Sequence, residues 1–190
     1  LITKAIRQAV DDGCDLINMS LGAGIDMPEV LREIQRARAM GVVCLAATGN
    51  DYRAEVGYPA RYPQVVAVSA TGRRGTYPAR ATEVLSEMAP FGLDQDNYVA
   101  DFSNVGPQVA LTAPGVGIVS TYKRAYAVMD GTSMACPVAT GAVARLLSRT
   151  PKILNMARDQ KRSDAIIKLA RGKARLLGFG VSFEGSGILV

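Results

Sequence analysis

An α/β domain with a mostly parallel sheet is the fold class that these 190 residues predict, and three observations carry it. Short, wholly apolar runs such as Val42-Val43-Cys44-Leu45-Ala46-Ala47 suit strands covered on both faces. Segments of helical period separate those runs, with the short connections of right-handed crossovers. Apolar residues make up 48% and charged residues 21%, the balance of a folded domain. The length suits one well-packed domain rather than two. The longest apolar run has six residues, 42–47, so no segment is long enough to span a bilayer as a helix.

The elements follow in order. Ile2, Ala5, Ile6, Ala9 and Val10 fall on one helical face, and Gly13 stops that helix. Residues 15–20 read as a short apolar strand ending at Gly22. A second helix is expected over about 28–40, with Asp26 near its start, Pro28 in its first turn and Gly41 terminating it. Strands at 42–47 and 65–69 follow, and with 15–20 they are expected to be central in the sheet. Weaker strand signals lie at 99–103, 109–112, 118–122 and 126–129. Residues 72–98 read as one long irregular connection containing Pro78, Pro90, two adjacent arginines and a helical turn near 82–88. From Ser133 to Arg149 the pattern is helical, and two further helices are expected near 151–159 and 163–171. The chain opens without methionine inside a helical pattern, which suggests that upstream sequence has been removed.

Charge and composition narrow the chemistry. There is no histidine, so this chain supplies neither an imidazole base nor a histidine metal ligand. Net charge is +5, but residues 145–175 hold ten of the 22 Lys and Arg against only Asp159 and Asp164. That stretch has no interleaved aromatics, so it reads as a solvated helical surface rather than a nucleic-acid site. Cys14, Cys44 and Cys136 fit no CxxC spacing and read as buried free thiols, with a Cys14–Cys44 bridge open if their strands are neighbours.

Two short motifs could carry chemistry. Gly131-Thr132-Ser133-Met134-Ala135 lies where a strand passes into a helix. A serine there faces unpaired N–H groups, which stabilise negative charge developing beside it. The bland alternative makes Thr132 or Ser133 a plain N-cap. Thr48-Gly49-Asn50-Asp51 follows the carboxyl end of a parallel strand, where ligands bind, and the Asn50 amide can donate to an oxyanion; the alternative is a common Gly-Asn turn. Ser120-x-x-Lys123 sits at a strand end without companion motifs, and Asn18-Met19-Ser20 lies in an apolar strand, so neither is taken as a site.

The blocks Ile17-Asn18-Met19-Ser20-Leu21-Gly22, Ala46-Ala47-Thr48-Gly49-Asn50 and Tyr58-Pro59-Ala60-Arg61-Tyr62-Pro63 come first. Phe102-Ser103-Asn104-Val105-Gly106, Ala113-Pro114-Gly115-Val116 and Gly131-Thr132-Ser133-Met134-Ala135-Cys136-Pro137 follow. In that order they resemble the subtilisin-like serine proteases (subtilases, peptidase family S8) over nearly the whole chain. The resemblance implies a three-layer α/β/α domain that residues 1–190 fill only in its C-terminal part, incomplete on the N-terminal side. It implies that Ser133 is the nucleophile and that Asn50, with the Ser133 N–H, forms the oxyanion hole. Ser20, Leu21 and Gly22 would line one wall of the pocket for the residue before the cut. Ala47, Thr48 and Gly49 would line the other, with Gly57 at the floor.

An extended peptide or protein substrate would add to that wall as a strand. With Gly57 leaving the floor open and no charge expected on the walls, the pocket should take a sizeable apolar side chain. The triad's Asp and His have no counterpart here, so the missing N-terminal part of the domain is the expected partner; neither nucleic acid nor membrane is. A degenerate, non-catalytic scaffold is the rival reading. The family is mostly secreted and needs no cofactor. Structural calcium is common in it, and the carbonyls of Ala60, Tyr62 and Val65 match one such loop, without a carboxylate nearby in sequence. Two smaller departures are Val138, where the family has a non-catalytic histidine, and Thr48 in place of a more usual alanine.

Overall fold

The computed structural model describes residues 1–77 and 82–190; Pro78 of the long connection lies outside the described residues. Helix α1 (Ile2–Asp11) buries Ile6 and Val10, the face that its periodicity marks. It leads into β1 (Leu16–Met19), α2 (Pro28–Ala39) and β2 (Val43–Ala47). Pro28 occupies the first turn of α2, where its missing N–H has no helical acceptor to lose. Every residue of β2 is buried, as the unbroken apolar run requires.

Strand β3 (Val66–Arg73) is the hub of the sheet. One edge runs parallel to β2 through Leu45↔Val66 to Ala47↔Val68, and the other runs parallel to β6 (Val109–Pro114). Thr71 pairs with Pro114 on the β6 side and with Val99 of β5 (Asn97–Ala100) on the opposite side. Thus β5, antiparallel, takes up the edge of β3 beyond the end of β2. The sheet order is β1-β2-β3-β5-β4, with β6 also on β3, and parallel pairs join β1, β2, β3 and β6.

Two expectations change here. Among the described residues, 15–20 form an outer strand rather than a central one: β1 pairs there with β2 alone, and of its residues only Met19 is buried whereas all of β2 is. The 72–98 stretch is not one irregular connection. It holds a short 3-10 turn (Thr82–Ser86), strand β4 (Glu87–Phe91) and the start of β5. Strand β4 hides from sequence reading because Pro90 interrupts it, which only an edge strand tolerates. A hairpin of β7 (Ile118–Tyr122) and β8 (Ala125–Met129) forms a separate two-stranded sheet.

Helix α3 (Thr132–Ser148) packs its buried Ala135, Cys136, Ala139, Ala142 and Val143 across the parallel strands. The C-terminal region folds as α4 (Pro151–Leu154), α5 (Gln160–Lys173) and α6 (Val181–Glu184), so the first predicted helix is shorter and the second longer than expected. The basic stretch is not wholly solvated. Arg162 on α5 is 1% exposed and donates to Gly41 O at 2.7 Å, Asp15 Oδ1 at 2.6 Å and Leu154 O at 3.1 Å. It ties the last long helix to the turn before β2 and to the residue before β1. The three cysteines are free; Cys14 is exposed rather than buried, and burial pushes the Cys44 and Cys136 thiols up to about 12.

Candidate active site

Ser133, Asn50 and the segments after β1 and β2 meet at the carboxyl end of the parallel strands. Gly131 with φ +150° turns the chain from β8 into α3 and is the N-cap, so neither Thr132 nor Ser133 caps the helix with its side chain. The cap comes from another segment. Asn50 Oδ1 accepts from the Thr132 N–H and from Thr132 Oγ1, both at 2.9 Å. An N–H only donates, so the amide atom facing it must be the oxygen. Asn50 Nδ2 is therefore turned away from Thr132 and has no bond among the described residues. The N–H groups of Met134 and Ala135 go to Gly131 O at 3.0 and 3.2 Å. Of the first turn only the Ser133 N–H stays unpaired among the described residues. Two free donors, Asn50 Nδ2 and Ser133 N–H, thus lie near a Ser133 hydroxyl that also makes no bond among the described residues.

Ser133 is fixed from a second side. Pro137 sits inside α3 and has no N–H, so the Ser133 carbonyl lacks its helical donor. The Ser20 hydroxyl replaces it, donating to Ser133 O at 2.8 Å. Asn18 Nδ2 donates to Ser20 Oγ at 3.0 Å, and Thr140 Oγ1 donates to Asn18 Oδ1 at 3.1 Å. This network joins the end of β1 to α3.

Beside Ser133 is a cavity of about 490 Å³. Leu21, Gly22, Ala47, Thr48, Gly49, Asn50 and Gly57 line it together with Ser133; Ser20 acts behind it, on the Ser133 carbonyl. Main-chain bonds tie its two sides together. Tyr58 and Ala23 exchange two bonds of 2.8 Å, and the Gly57 N–H donates to Thr48 O at 2.9 Å, so residues 57–58 join both walls. The 48–55 loop is held by Asn104, which accepts the Asp51 N–H at 2.7 Å and donates to Asp51 Oδ2 at 2.8 Å and Glu55 O at 3.1 Å. Gly49, at φ +111°, could not carry a side chain: a Cβ there would lie 2.4 Å from Asn104 Nδ2.

The expectation of uncharged walls is corrected. Asp51, Glu55 and Arg61 also line the cavity. Sequence reading missed them, along with Thr132 and Asn104. Asp51 adjoins Asn50, while Arg61, Thr132 and Asn104 lie in the quoted blocks; neither signal shows which way a side chain faces, and Glu55 carried no signal.

Ala60, Tyr62 and Val65 lie outside this cavity. The Tyr62 carbonyl already accepts the Val65 N–H at 2.9 Å, and Arg171 lines the hollow beside Tyr62 and Val65. Among the described residues no group of three His, Cys, Asp or Glu is placed to hold a metal. Three carbonyls beside a guanidinium fall short of the roughly six to eight oxygens that calcium takes, so the donor set does not fit and no chemistry is routed through a metal.

A serine near a helix N-terminus lies beside two free donors and a cleft on an α/β sheet, an arrangement that can hold negative charge developing on a bound carbonyl. The sequence model of the subtilase family matches residues 1–180, and the chain belongs to that family. It is 34% identical over 157 residues to subtilisin DY of Bacillus licheniformis, covering 80% of this chain and 49% of that protein. It is 37% identical over 155 residues to the halolysin-like extracellular serine protease Nep of Natrialba magadii, covering 81% of this chain and 25% of that protein. Among solved structures it is similar to the prenylagaramide maturation protease PagA, with a TM-score of 0.71 at 27% identity, over all of this chain and 64% of that one. The fold is that of a subtilisin-like protease, and this chain spans half or less of the length of the two sequence relatives.

Proposed function

We propose that this chain is the C-terminal part of a serine endopeptidase domain whose Asp and His lie outside these 190 residues. The observation that supports it most is the pair of unpaired donors, Asn50 Nδ2 and the Ser133 N–H, beside an unbonded Ser133 hydroxyl. In this reading an imidazole takes the proton from Ser133 Oγ as the oxygen attacks a peptide carbonyl. Asn50 Nδ2 and the Ser133 N–H then hold the oxyanion that forms. Collapse of that intermediate breaks the C–N bond, the imidazolium returns its proton to the leaving amine, and water releases the acyl group from Ser133. The exposed segment Leu21-Gly22 offers main-chain groups for a peptide substrate to pair with. The chemistry needs no cofactor. A secreted or extracytoplasmic setting goes with it, since relatives carry extracellular names.

Without histidine the chain by itself is inactive, because a serine hydroxyl is a weak nucleophile without a base. Only oxyanion and binding effects remain, a residue known for subtilisin of roughly 10³–10⁴ over water. The lack of histidine also favours the rival, a non-catalytic binding module. A fluorophosphonate probe separates the two. Labelling of Ser133 only when the chain is joined to an upstream segment bearing Asp and His supports the protease reading. Rapid labelling of the chain alone overturns its inactivity, and no labelling in either form overturns the protease reading itself.

A further inference from the structure

The basic stretch over α5 plays no part in the cleft beside Ser133, and its charges are not cancelled. Both of its carboxylates are spent inside the fold: Asp159 accepts the Arg162 N–H at 3.0 Å as the N-cap of α5, and Asp164 pairs with Arg38. Arg158 and Arg162 share Asp15. Lys161, Lys168, Arg171 and Lys173 are exposed and meet no carboxylate at ion-pair distance among the described residues. Hollows lie on both sides of Lys168. One, of about 530 Å³, has Pro63, Val65, Val66 and Ile167 as apolar lining, with Lys168, Arg171 and the Asp164–Arg38 pair around them. The other, of about 310 Å³, is lined by Ile153 of α4, Ala165, Leu169 and Lys173. Lys168 and Gly172, one helical turn apart, line both, so the two hollows meet there as one groove. A Cβ on Gly172 would meet nothing within 4 Å, so no neighbour in this chain requires the glycine, although it costs a helix about 1 kcal/mol relative to alanine. What the glycine does is keep the passage between the hollows open.

We propose that this groove binds an extended acidic segment of polypeptide that carries apolar residues between its carboxylates. Lys168 and Arg171, three residues apart on the helix, hold their Cβ atoms roughly 5–6 Å apart. Alternate residues of an extended chain lie roughly 6.5–7 Å apart, so two carboxylates on one face of such a chain reach both cations. The aliphatic linings on either side of Lys168 take apolar side chains, whose burial adds to the ion pairs. A basic segment would meet like charge all along the groove. A bilayer gains little from this face: α4 and α5 carry none of the large exposed apolar side chains, so nothing there inserts between lipids. Single-stranded nucleic acid would find no aromatic ring on α5 to stack against. The groove is also remote from the cleft. Val66 opens β3 and Arg38 lies near the end of α2, at the amino ends of the parallel strands, whereas Asn50 and Ser133 sit at their carboxyl ends. The proposal therefore does not rest on the protease reading, and a segment bound here leaves the cleft free.

The test uses the 190-residue chain and acetylated, amidated hexapeptides: one alternates Glu with Leu, one Glu with Ser and one Lys with Leu. Binding is followed by the amide shifts of Lys168, Gly172 and Lys173. The Glu–Leu peptide should shift these amides while those of Gly49 and Ser133 stay in place, and added salt should weaken it, a measurement that needs no variant to fold. The Glu–Ser peptide should bind more weakly, and the Lys–Leu peptide should shift none of them. Lys168→Glu should weaken the Glu–Leu peptide about fivefold, the scale of an exposed ion pair. Lys123→Glu, the same change of charge at the turn of the β7–β8 hairpin, should leave its affinity within about twofold. Gly172→Gln adds no charge but blocks the passage, so it too should weaken binding. Equal losses in Lys168→Glu and Lys123→Glu would mean attraction by net charge alone and overturn the groove. Glu–Leu shifts centred on Gly49 and Ser133, or undiminished binding in Gly172→Gln, would overturn it as well. No shift with the Glu–Leu peptide overturns the proposal outright, and shifts of the same amides by vesicles containing phosphatidylserine would then make this face a membrane contact.

Discussion

The Ser20 hydroxyl donates to the Ser133 carbonyl at 2.8 Å, across 113 residues of sequence. It stands where the N–H of residue 137 would stand in an unbroken helix, and Pro137 is what makes the substitution necessary. Two residues that look unrelated in the sequence are thereby coupled.

That coupling is measurable. Ser20→Ala should lower stability by about 1 kcal/mol, the net value of one hydrogen bond, and Ser20→Thr should restore it. In a Pro137→Ala background the helix recovers its own donor, so Ser20→Ala should then cost much less. Urea unfolding of the four proteins of this cycle gives the coupling energy, and an additive cycle would show that the Ser20 bond does not stand in for the donor that Pro137 removes.

Asn50 has two jobs that separate by substitution. Its oxygen caps α3 at Thr132, while its nitrogen is the proposed oxyanion donor. Asn50→Asp keeps an acceptor and adds a favourable charge at a helix N-terminus, so the melting temperature should hold. Asn50→Ala should lose about 1 kcal/mol with the cap. In the enzyme carrying its base, both should lower kcat by ~10²–10³ with little change in KM, the size known for the subtilisin donor. A rise in KM at constant kcat would instead make Asn50 a substrate-binding residue.

Glu184 is 1% exposed and is met by four main-chain donors. Oε1 accepts from Gly178, Phe179 and Gly180 at 3.1, 2.9 and 3.2 Å, and Oε2 accepts from Leu177 at 2.6 Å. Glu184→Ala strands all four and should cost about 3 kcal/mol or more, since each unmet buried donor costs roughly 1–3 kcal/mol. Glu184→Gln keeps one oxygen for three of them and should cost less. Equal losses in denaturant midpoint for the two variants would refute this division of the bonds.

The acid limb of stability has an identifiable contributor. Asp94 accepts the Asn97 N–H at 3.0 Å and pairs with Arg73 at 2.6 Å, which together hold its carboxyl at about 2. Its folded value lies below its unfolded value of about 3.9. The stabilisation is therefore complete above the unfolded value and is lost as pH falls from near 4 towards 2. Asp94→Asn should flatten the stability curve in that window and leave its shape near neutrality unchanged. An unaltered slope between pH 4 and 2 would remove Asp94 from the account.

Much of the frame was legible in the sequence for one reason: strands buried on both faces advertise themselves as unbroken apolar runs, and β2 and β3 have no other explanation. The limits are equally physical. Strand β4 carries Pro90 and exposed Met88, so its pairing with β5 comes from tertiary context, not from pattern. That β1 lies outermost among the described strands is a fact about its neighbours, which no local pattern encodes. At the site, Ser133, Asn50 and Gly57 could be named from motif order. The cap at Thr132 and the clamp by Asn104 join segments 82 and 53 residues apart, which local spacing leaves open.

Main-chain hydrogen bonds of Gly57 and Tyr58 join Thr48 to Ala23 and so tie the two sides of the cleft together. The spacing of those sides thus rests on backbone bonds, which exchanges of side chains leave in place. Exchanges among the lining side chains can alter what the cleft accepts while the distance between its walls stays constant. Selectivity can drift under natural selection here one residue at a time, without each step first having to rebuild the cleft.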